Sequence, residues 1–167
     1  FGGAGPMHAA ELAAELGIRE VIIPPIPGGF SALGLVATDL KRDYVKTHFV
    51  LLGEADPDAV ATAFGEMEAS AKQMLEAARI PERDRAMEWA VDLRYGRQAY
   101  ELTVPCQPGA VTGETLGELA RLFHEKHRLT YDHDNPDETI QMVNLRLTAI
   151  GRFENIELSH GGGDGGD

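Results

Sequence analysis

Residues 87–104 read MEWAVDLRYGRQAYELTV, and this stretch decides the fold that the sequence predicts. Bulky apolar residues alternate with polar or small ones over residues 87–95, and a period of two residues is typical of a β-strand with one buried face. A second run of this kind covers residues 98–104. Only Gly96-Arg97 separates the two runs, and a two-residue connection that begins with glycine favours a type II′ hairpin.

The hairpin turn fixes which residues of the two strands lie opposite each other. It pairs Tyr95 with Gln98, Leu93 with Tyr100, Val91 with Leu102 and Trp89 with Val104. On the other face Asp92 then lies opposite Glu101, and two like charges in this position destabilise a sheet unless a cation compensates them. Arg94 is the diagonal candidate for that cation. We interpret Asp92, Arg94 and Glu101 as a contact with another domain in preference to a ligand site, because the sequence offers no nucleophile beside them.

A strand and a helix are predicted before the hairpin. Residues 42–52 alternate with a period of two, which indicates a strand. Asp56 predicts the amino-terminal cap of a helix that has Pro57 at its first position. One stripe of this helix is apolar and consists of Val60, Phe64, Met67, Ala71, Met74 and Ala78.

A second helix and a final strand follow the hairpin. Thr112 or Thr115 is the predicted cap of the helix, the latter in a capping box with Glu118. Its buried stripe is predicted to be Leu116, Leu119, Phe123 and His127. Residues 140–150 predict a strand that buries Val143, Leu145, Leu147 and Ala149. The order from residue 42 onward is therefore β-α-β-β-α-β, which favours an α+β, ferredoxin-like sandwich with two helices on one face of a four-stranded antiparallel sheet.

Changes of composition divide the chain into three predicted segments. Residues 1–41 are rich in glycine and proline, and we interpret them as the end of another domain. In this segment a helix begins at Pro6 and ends at Gly17, a buried strand covers Glu20 to Ile23, and a short helix capped by Ser31 continues to about Thr38. Residues 42–153 form the α+β domain. Residues 154–167 have little to bury and predict a flexible tail.

Composition limits the classes of function. The chain has 167 residues, with 15 basic against 27 acidic side chains and a net charge of −12, so nucleic acid and anionic membrane surfaces are poor partners. Cys106 is the single cysteine, which excludes an internal disulfide and favours a reducing, cytoplasmic compartment. No apolar run approaches the ~20 residues that a membrane span needs.

The first residues could bind a nucleotide. Gly2, Gly3, Ala4 and Gly5 lead directly into the predicted helix, and small residues at a helix start allow a ligand to approach free backbone N–H groups. A tight packing corner is the alternative, and it is the commoner reason for such a pattern. His8 lies one turn further on, where a packed, hydrogen-bonded histidine is favoured over a ligand contact.

No metal site is predicted. His124 and His127 share one helix, but no partner motif completes a zinc pattern. His133 lies in an acidic turn that lacks the glycine and the final glutamate of an EF-hand. Cys106 has no adjacent basic residue that would activate its thiol.

Several stretches together resemble one known family. Residues 1–9 read FGGAGPMHA and are similar to the FGGAGP-x-HA signature of the hydantoinase A / 5-oxoprolinase / acetone carboxylase family. Residues 27–34 (PGGFSALG) and 39–47 (DLKRDYVKT) resemble further family segments, as do residues 92–105 (DLRYGRQAYELTVP). The order Gly96-Arg97-Gln98 departs from the commoner x-Gly-Gln of the family. Phe123-His124 and Val143-Asn144-Leu145-Arg146 match its last familiar elements.

The resemblance implies an ATP-dependent enzyme that opens or carboxylates small cyclic amides and ketones and has an actin-like ATPase fold. It implies that Gly2, Gly3 and Gly5 belong to the adenosine-side loop, and that ATP and Mg are bound by the full-length enzyme. The family's phosphate-binding loops lie upstream of residue 1, so this C-terminal piece is expected to bind no cofactor and to have no activity alone. The expected partners are the upstream ATPase-like domains and a hydantoinase B-type companion subunit. The alternative is a noncatalytic module for docking domains or subunits of a carboxylase or hydantoinase.

Overall fold

The computed structural model describes residues 4–24, 26–36 and 38–153. The chain divides into two compact units, one formed by residues 1–39 with 153–167 and the other by Leu40–Arg152. No helix within the described ranges combines the length and apolar character that crossing a membrane requires.

The described residues of the first unit form two helices, α1 (Gly5–Leu16) and α2 (Phe30–Val36). The predicted start and end of α1 are confirmed: Pro6 lies in its first turn, and Gly17 caps it with a left-handed φ of 68°. Helix α2 begins one residue before Ser31, so Ser31 is inside the helix and does not cap it.

The predicted strand at Glu20–Ile23 is wrong. Residues 18–24 form neither helix nor strand, and Ile22 is 85% exposed. A strand needs a neighbour to pair its backbone groups, and within the described ranges no neighbouring strand pairs with this β-branched run. The predicted tail, residues 154–167, lies outside the described residues.

The second unit follows the predicted β-α-β-β-α-β order. It consists of β1 (Leu40–Leu51), α3 (Pro57–Ala77), β2 (Arg85–Tyr95), β3 (Leu102–Cys106), α4 (Gly113–Tyr131) and β4 (Ile140–Gly151). The four strands form one antiparallel sheet in the order β1-β4-β2-β3. Strand β4 thus separates β1 from β2, and β2 separates β3 from β4. The mixed α and β architecture is confirmed, and the closer ferredoxin-like assignment stays a prediction.

Both long helices begin at capping side chains. Asp56 caps α3, as predicted, and its Oδ1 accepts the backbone N–H of Asp58 at 3.1 Å. Thr112 caps α4 in a capping box with Thr115, so the predicted box of Thr115 with Glu118 is wrong. The predicted α4 stripe is buried in full. In α3 the buried stripe ends at Leu75. Met74 is partly buried, and the predicted burial of Ala78 is wrong, because Ala78 lies beyond the end of the helix and is exposed.

The core lies between α3, α4 and one face of the sheet. Its sheet side includes Trp89, Val91, Leu93, Val104, Leu145 and Leu147. Phe64 of α3 stacks on Trp89 of β2, with ring centroids 4.0 Å apart and an interplanar angle of 1°. The other face of the sheet carries polar side chains, and it is called the open face below.

The predicted hairpin register is wrong by two residues. Leu93 pairs with Leu102 and Trp89 with Cys106, so β3 starts later than predicted. The two-residue turn itself forms, because the N–H of Gln98 donates to the carbonyl of Tyr95 at 3.0 Å, but residues 98–101 then lie outside the ladder. The N–H of Gly96 donates to the carbonyl of Thr139 at 2.9 Å. A Cβ on Gly96 would lie 3.0 Å from Thr139 Oγ1, which explains the glycine. A slip of two residues keeps each side chain on its predicted face.

The final strand also departs from perfect alternation. Met142 is buried where Val143 was predicted to be, while Leu145, Leu147 and Ala149 are buried as predicted. The pairing of β2 with β4 shifts between Asp92 and Leu93, which inserts an extra residue into β4. A bulge of this kind changes which side chain faces the core.

Candidate functional site

The most strongly bound polar group of the open face is the carboxylate of Asp92. Although Asp92 lies on the face without helices, it has no solvent exposure. Arg146 Nε donates to both of its oxygens, at 2.7 and 2.8 Å. Asn144 Nδ2 donates at 2.9 Å, and Thr103 Oγ1 at 2.7 Å. The carboxylate is therefore held by side chains of the two strands that flank β2.

These contacts keep Asp92 ionised. Burial alone raises the pKa of an aspartate, but hydrogen bonds from Arg146, Thr103 and Asn144, with the positive charge of Arg146, outweigh it and lower the pKa of Asp92 below its ordinary value. The hydrogen bond to Asp92 likewise raises the pKa of Arg146. The group is a fully satisfied ion pair, a poor candidate for general acid or base catalysis.

The structure separates the predicted cluster of Asp92, Arg94 and Glu101. Arg94 Nε donates to Gln141 Oε1 at 3.0 Å, and its guanidinium lies 5.5 Å from the ring centre of Phe49. Glu101 is exposed and lies in the connection before β3. Asp92 lies opposite Thr103 and not opposite Glu101, because the register differs by two residues.

Sequence reasoning missed Arg146 and Asn144 as partners of Asp92. Both stand on the polar face of the predicted final strand, where Arg146 lies between Leu145 and Leu147 and Asn144 precedes Leu145, so their orientation could be predicted. Their contact with Asp92 depends on β4 lying beside β2, and the order of strands in the sheet decides that neighbour. The periodicity of a single strand carries no information about it.

The small-residue corner is described only at Ala4 and Gly5, since Gly2 and Gly3 lie outside the described residues. Ala4 is the cap residue of α1, and no side chain occupies its capping position. Both residues are exposed, and a Cβ on Gly5 would meet nothing within 4 Å. The first turn of α1 has no acidic residue that could hold Mg.

His8 is exposed on α1, so the predicted packed environment is not present among the described residues. The apolar side chains of this unit are exposed as well. Those with large exposed areas are Met7, Leu12, Leu16, Ile18, Val21, Ile22, Ile23, Ile26 and Phe30. Ala13 is the buried residue of α1. Scattered apolar side chains are ordinary on a surface, but a series this dense is typical of a surface that other protein covers.

A second polar group joins α4 to two loops. The Tyr95 hydroxyl accepts the backbone N–H of Asn135 at 2.9 Å and lies 2.7 Å from His124 Nδ1. Buried His127 lies 2.6 Å from the carbonyl of His133 through Nδ1 and 2.7 Å from Gln98 Nε2 through Nε2. His127 Nδ1 therefore faces an acceptor, and its Nε2 faces the amide of Gln98. These histidines fix loops, and no group of three metal-binding side chains occurs among the described residues.

A cavity of about 940 Å³ lies beside the end of β3, between β2 and α4. Trp89, Cys106 and Leu119 line its apolar side, while Glu88 and Glu114 supply carboxylates. The indole N–H of Trp89 is buried without a hydrogen-bond partner. Burial raises the pKa of the Cys106 thiol, so this cysteine is a poor nucleophile, as the sequence predicts.

Comparison with known proteins identifies relatives along nearly the whole chain. The family model described as Hydantoinase/oxoprolinase matches residues 1–44. An uncharacterized protein of Methanocaldococcus jannaschii is 38% identical over 161 residues, which cover 95% of this chain and 22% of that protein. Caprolactamase subunit alpha of Pseudomonas jessenii is 25% identical over 92% of this chain and 22% of its own length.

Two solved structures share the fold. The crystal structure of ATP-dependent caprolactamase from Pseudomonas jessenii matches with a TM-score of 0.68 and 24% identity, over 92% of this chain and 23% of that chain. A nucleotide-free structure of acetone carboxylase matches with a TM-score of 0.70 and 21% identity, over 93% of this chain and 23% of that one. The chain therefore spans about a fifth of the length of each of these relatives.

Proposed function

This chain belongs to the hydantoinase/oxoprolinase family, and on that premise we propose that it is the C-terminal part of an ATP-dependent enzyme that hydrolyses cyclic amide bonds. In this proposal residues 1–39 contribute one side of the nucleotide pocket, and residues 40–153 form a supporting domain. The chain has no activity alone. Its partners are the ATPase-like domains of the same protein and a companion subunit of the hydantoinase B type.

The exposed apolar surface of the first unit is the observation that carries this proposal. Leu16 is 70% exposed, Met7 75% and Ile22 85%, so α1 and the segment after it have most of their apolar side chains in water. Burying a leucine-sized side chain contributes about 1.5–3 kcal/mol, and this stabilisation is not realised within the described residues. Docking of further ATPase-like domains onto this surface would supply it.

The start of α1 supports a nucleotide beside that surface. Ala4 offers no competing cap, the surroundings of Gly5 are open, and the free N–H groups of a helix start favour anionic ligands. When ATP is bound, it supplies the energy of a phosphoanhydride bond for opening a stable amide. The residues of this chain would position the nucleotide, while the groups that stabilise charge on its phosphates and hold Mg would come from other domains.

The alternative is that residues 40–153 are a noncatalytic docking module. The hydrogen bonds of Asp92 favour a docking function for the sandwich. Its carboxylate accepts four hydrogen bonds from neighbouring side chains, so neither oxygen is available to bind a substrate. One of the relatives above is caprolactamase subunit alpha, and another is acetone carboxylase. The name "subunit alpha" implies an assembly with more than one kind of subunit.

Calorimetric titration with MgATP tests the proposal. The 167-residue chain should give no saturable heat, and a protein that includes the upstream domains should bind. In that longer protein Gly5→Val should weaken nucleotide binding roughly tenfold or more by filling the open space. Gly65→Val is the matched control, because Gly65 is also helical with nothing within 4 Å of an added Cβ. Tight MgATP binding by the 167-residue chain would contradict the proposed dependence.

Deleting residues 40–153 from the longer protein tests the alternative. A pure docking module should leave nucleotide affinity unchanged and abolish co-purification of the companion subunit. If nucleotide affinity falls as well, the sandwich contributes to the pocket.

A further inference from the structure

The two edges of the sheet differ in how they are protected. Edge strand β3 is short, and Pro105 within it has no N–H to offer. Lys126 of α4 donates to the carbonyl of Thr103 at 2.6 Å, which occupies a further backbone group of this strand. Proline and lysine at an edge are common protections against pairing with another strand. These features of β3 prevent another strand from pairing with this edge of the sheet.

Strand β1 forms the opposite edge. It carries three basic side chains, Lys41, Arg42 and Lys46, and its pairing with β4 shifts between Thr47 and Val50. It has 12 residues and no proline, and it pairs with β4 on one side only. Among the described residues no backbone hydrogen bond from outside the sheet ends on residues 41–50. Val45 is 51% exposed and Phe49 is 60% exposed, and both lie on the open face. A long edge with exposed apolar side chains is a template for another strand.

We propose that β1 pairs antiparallel with β1 of a second copy of this chain, around a two-fold axis at Val45. Such an axis joins two copies into one continuous sheet of eight strands with all helices on the same side. Directly opposite residues of an antiparallel pair lie on the same face of the sheet. When a strand pairs with its own copy, the two residue numbers of each pair must therefore be both odd or both even, and their sum is even. The two longest pairings are centred on Val45 and on Lys46.

Charge decides between these two pairings. The pairing centred on Lys46 places that lysine against itself. The pairing centred on Val45 joins residues 40–50, which include the shift of the β1–β4 pairing between Thr47 and Val50, and it places no two lysines and no two acidic residues opposite each other. Its pairs are Leu40 with Val50, Lys41 with Phe49, Arg42 with His48, Asp43 with Thr47, Tyr44 with Lys46, and Val45 with itself. Aromatic rings opposite lysines and a central valine pair are favourable cross-strand contacts.

The remaining charge near the axis is compensated within each copy. Lys46 forms an ion pair with Glu66 of α3 at 2.5 Å, so the two lysines that approach diagonally carry their own counter-charges. The net charge of −12 on each copy opposes association at long range, and salt screens that repulsion. A one-strand interface is small, and we expect a weak dimer that strengthens as salt is added.

Sedimentation equilibrium of the 167-residue chain tests the dimer. The chain should associate reversibly to a dimer at high micromolar concentration. Val45→Lys should weaken the dimer roughly tenfold or more, because it places two lysines opposite each other, whereas Val45→Thr should change it little. A chain that stays monomeric overturns the proposal. So does a dimer that Val45→Lys leaves intact, because association would then use the apolar surface of the first unit.

Oxidative cross-linking tests the register. Val45→Cys should form a covalent dimer, because opposite residues in an antiparallel pair have Cα atoms about 4.5–5.5 Å apart, within the range of a disulfide. Phe49→Cys is the matched control on the same face of the same strand. In the proposed register the two copies of residue 49 are about 26 Å apart along the strand, so this variant should stay monomeric. Equal cross-linking of the two variants would overturn the register.

Discussion

Replacing Arg146 by methionine should destabilise the sandwich and make its stability depend on pH in a new way. The substitution keeps most of the apolar stem but removes the Nε–H that donates to both oxygens of Asp92. Asp92 has no solvent exposure, so it would remain as a buried carboxylate held by Asn144 and Thr103 alone. Breaking a buried ion pair from one side costs about 3–5 kcal/mol.

The expected loss is smaller than that range, because the Arg146 side chain is 40% exposed. Water that replaces the guanidinium can solvate part of the carboxylate, and we therefore expect Arg146→Met to lower the free energy of unfolding by about 2–3 kcal/mol at neutral pH. Urea denaturation followed by far-UV circular dichroism measures this change. Arg94→Met is the matched control, since Arg94 faces an uncharged glutamine, and it should cost less than about 1 kcal/mol.

The pH dependence provides the sharper test. In the wild-type chain the folded-state pKa of Asp92 is lowered, so its stabilisation is complete above the usual aspartate value of 3.8 and is lost as pH falls through the lower folded pKa. Without Arg146, burial should raise the folded pKa of Asp92, and the variant then gains relative stability as pH falls and the carboxyl takes up a proton. The difference between wild type and variant should be largest near pH 7 and shrink toward pH 4. A difference that is the same at both pH values would refute this reasoning.

Two further substitutions test other contacts. Tyr95→Phe removes the hydroxyl that accepts the Asn135 N–H, and it should cost about 1–2 kcal/mol and speed hydrogen exchange at Asn135; an unchanged exchange rate would contradict this. Gly151→Ala places a Cβ 2.8 Å from Ile80 Cγ1 in the core and should cost about 1–3 kcal/mol in urea denaturation. Gly65→Ala on the open surface of α3 should instead stabilise by roughly 0.5–1 kcal/mol, and equal effects of the two substitutions would contradict the packing at Gly151.

Local patterns predicted the secondary structure of residues 40–153 well, because burial on one side imposes a period on each element. The stripe of α4 from Leu116 to His127 and the cap at Asp56 depend on neighbours within one or two helical turns. The hairpin register failed beyond the turn: Gln98 bonds to Tyr95 as a two-residue turn requires, but β3 begins only at Leu102, while Gly96 bonds to Thr139 in a distant segment. The partners of Asp92 were missed for the same reason, since the neighbour of β2 is chosen by the whole sheet.

The failure at residues 20–23 has a different physical origin. A β-branched apolar run indicates that a segment is suited to a buried strand. The strand forms only where a neighbouring strand makes hydrogen bonds with its backbone. Ile22 and Ile23 remain exposed among the described residues, so the pattern is present and the neighbour is not. The glycine corner is similar, because its small residues could be recognised in the sequence while a ligand contact depends on other parts of the protein.

The flat stack of Phe64 on Trp89 has a spectroscopic consequence. Trp89 is the single tryptophan of the sequence, so the intrinsic emission of the chain comes from the layer where α3 meets the sheet. A red shift during denaturation would report the separation of that layer alone. Optical and hydrodynamic probes of unfolding should then give different midpoints wherever the two units melt independently.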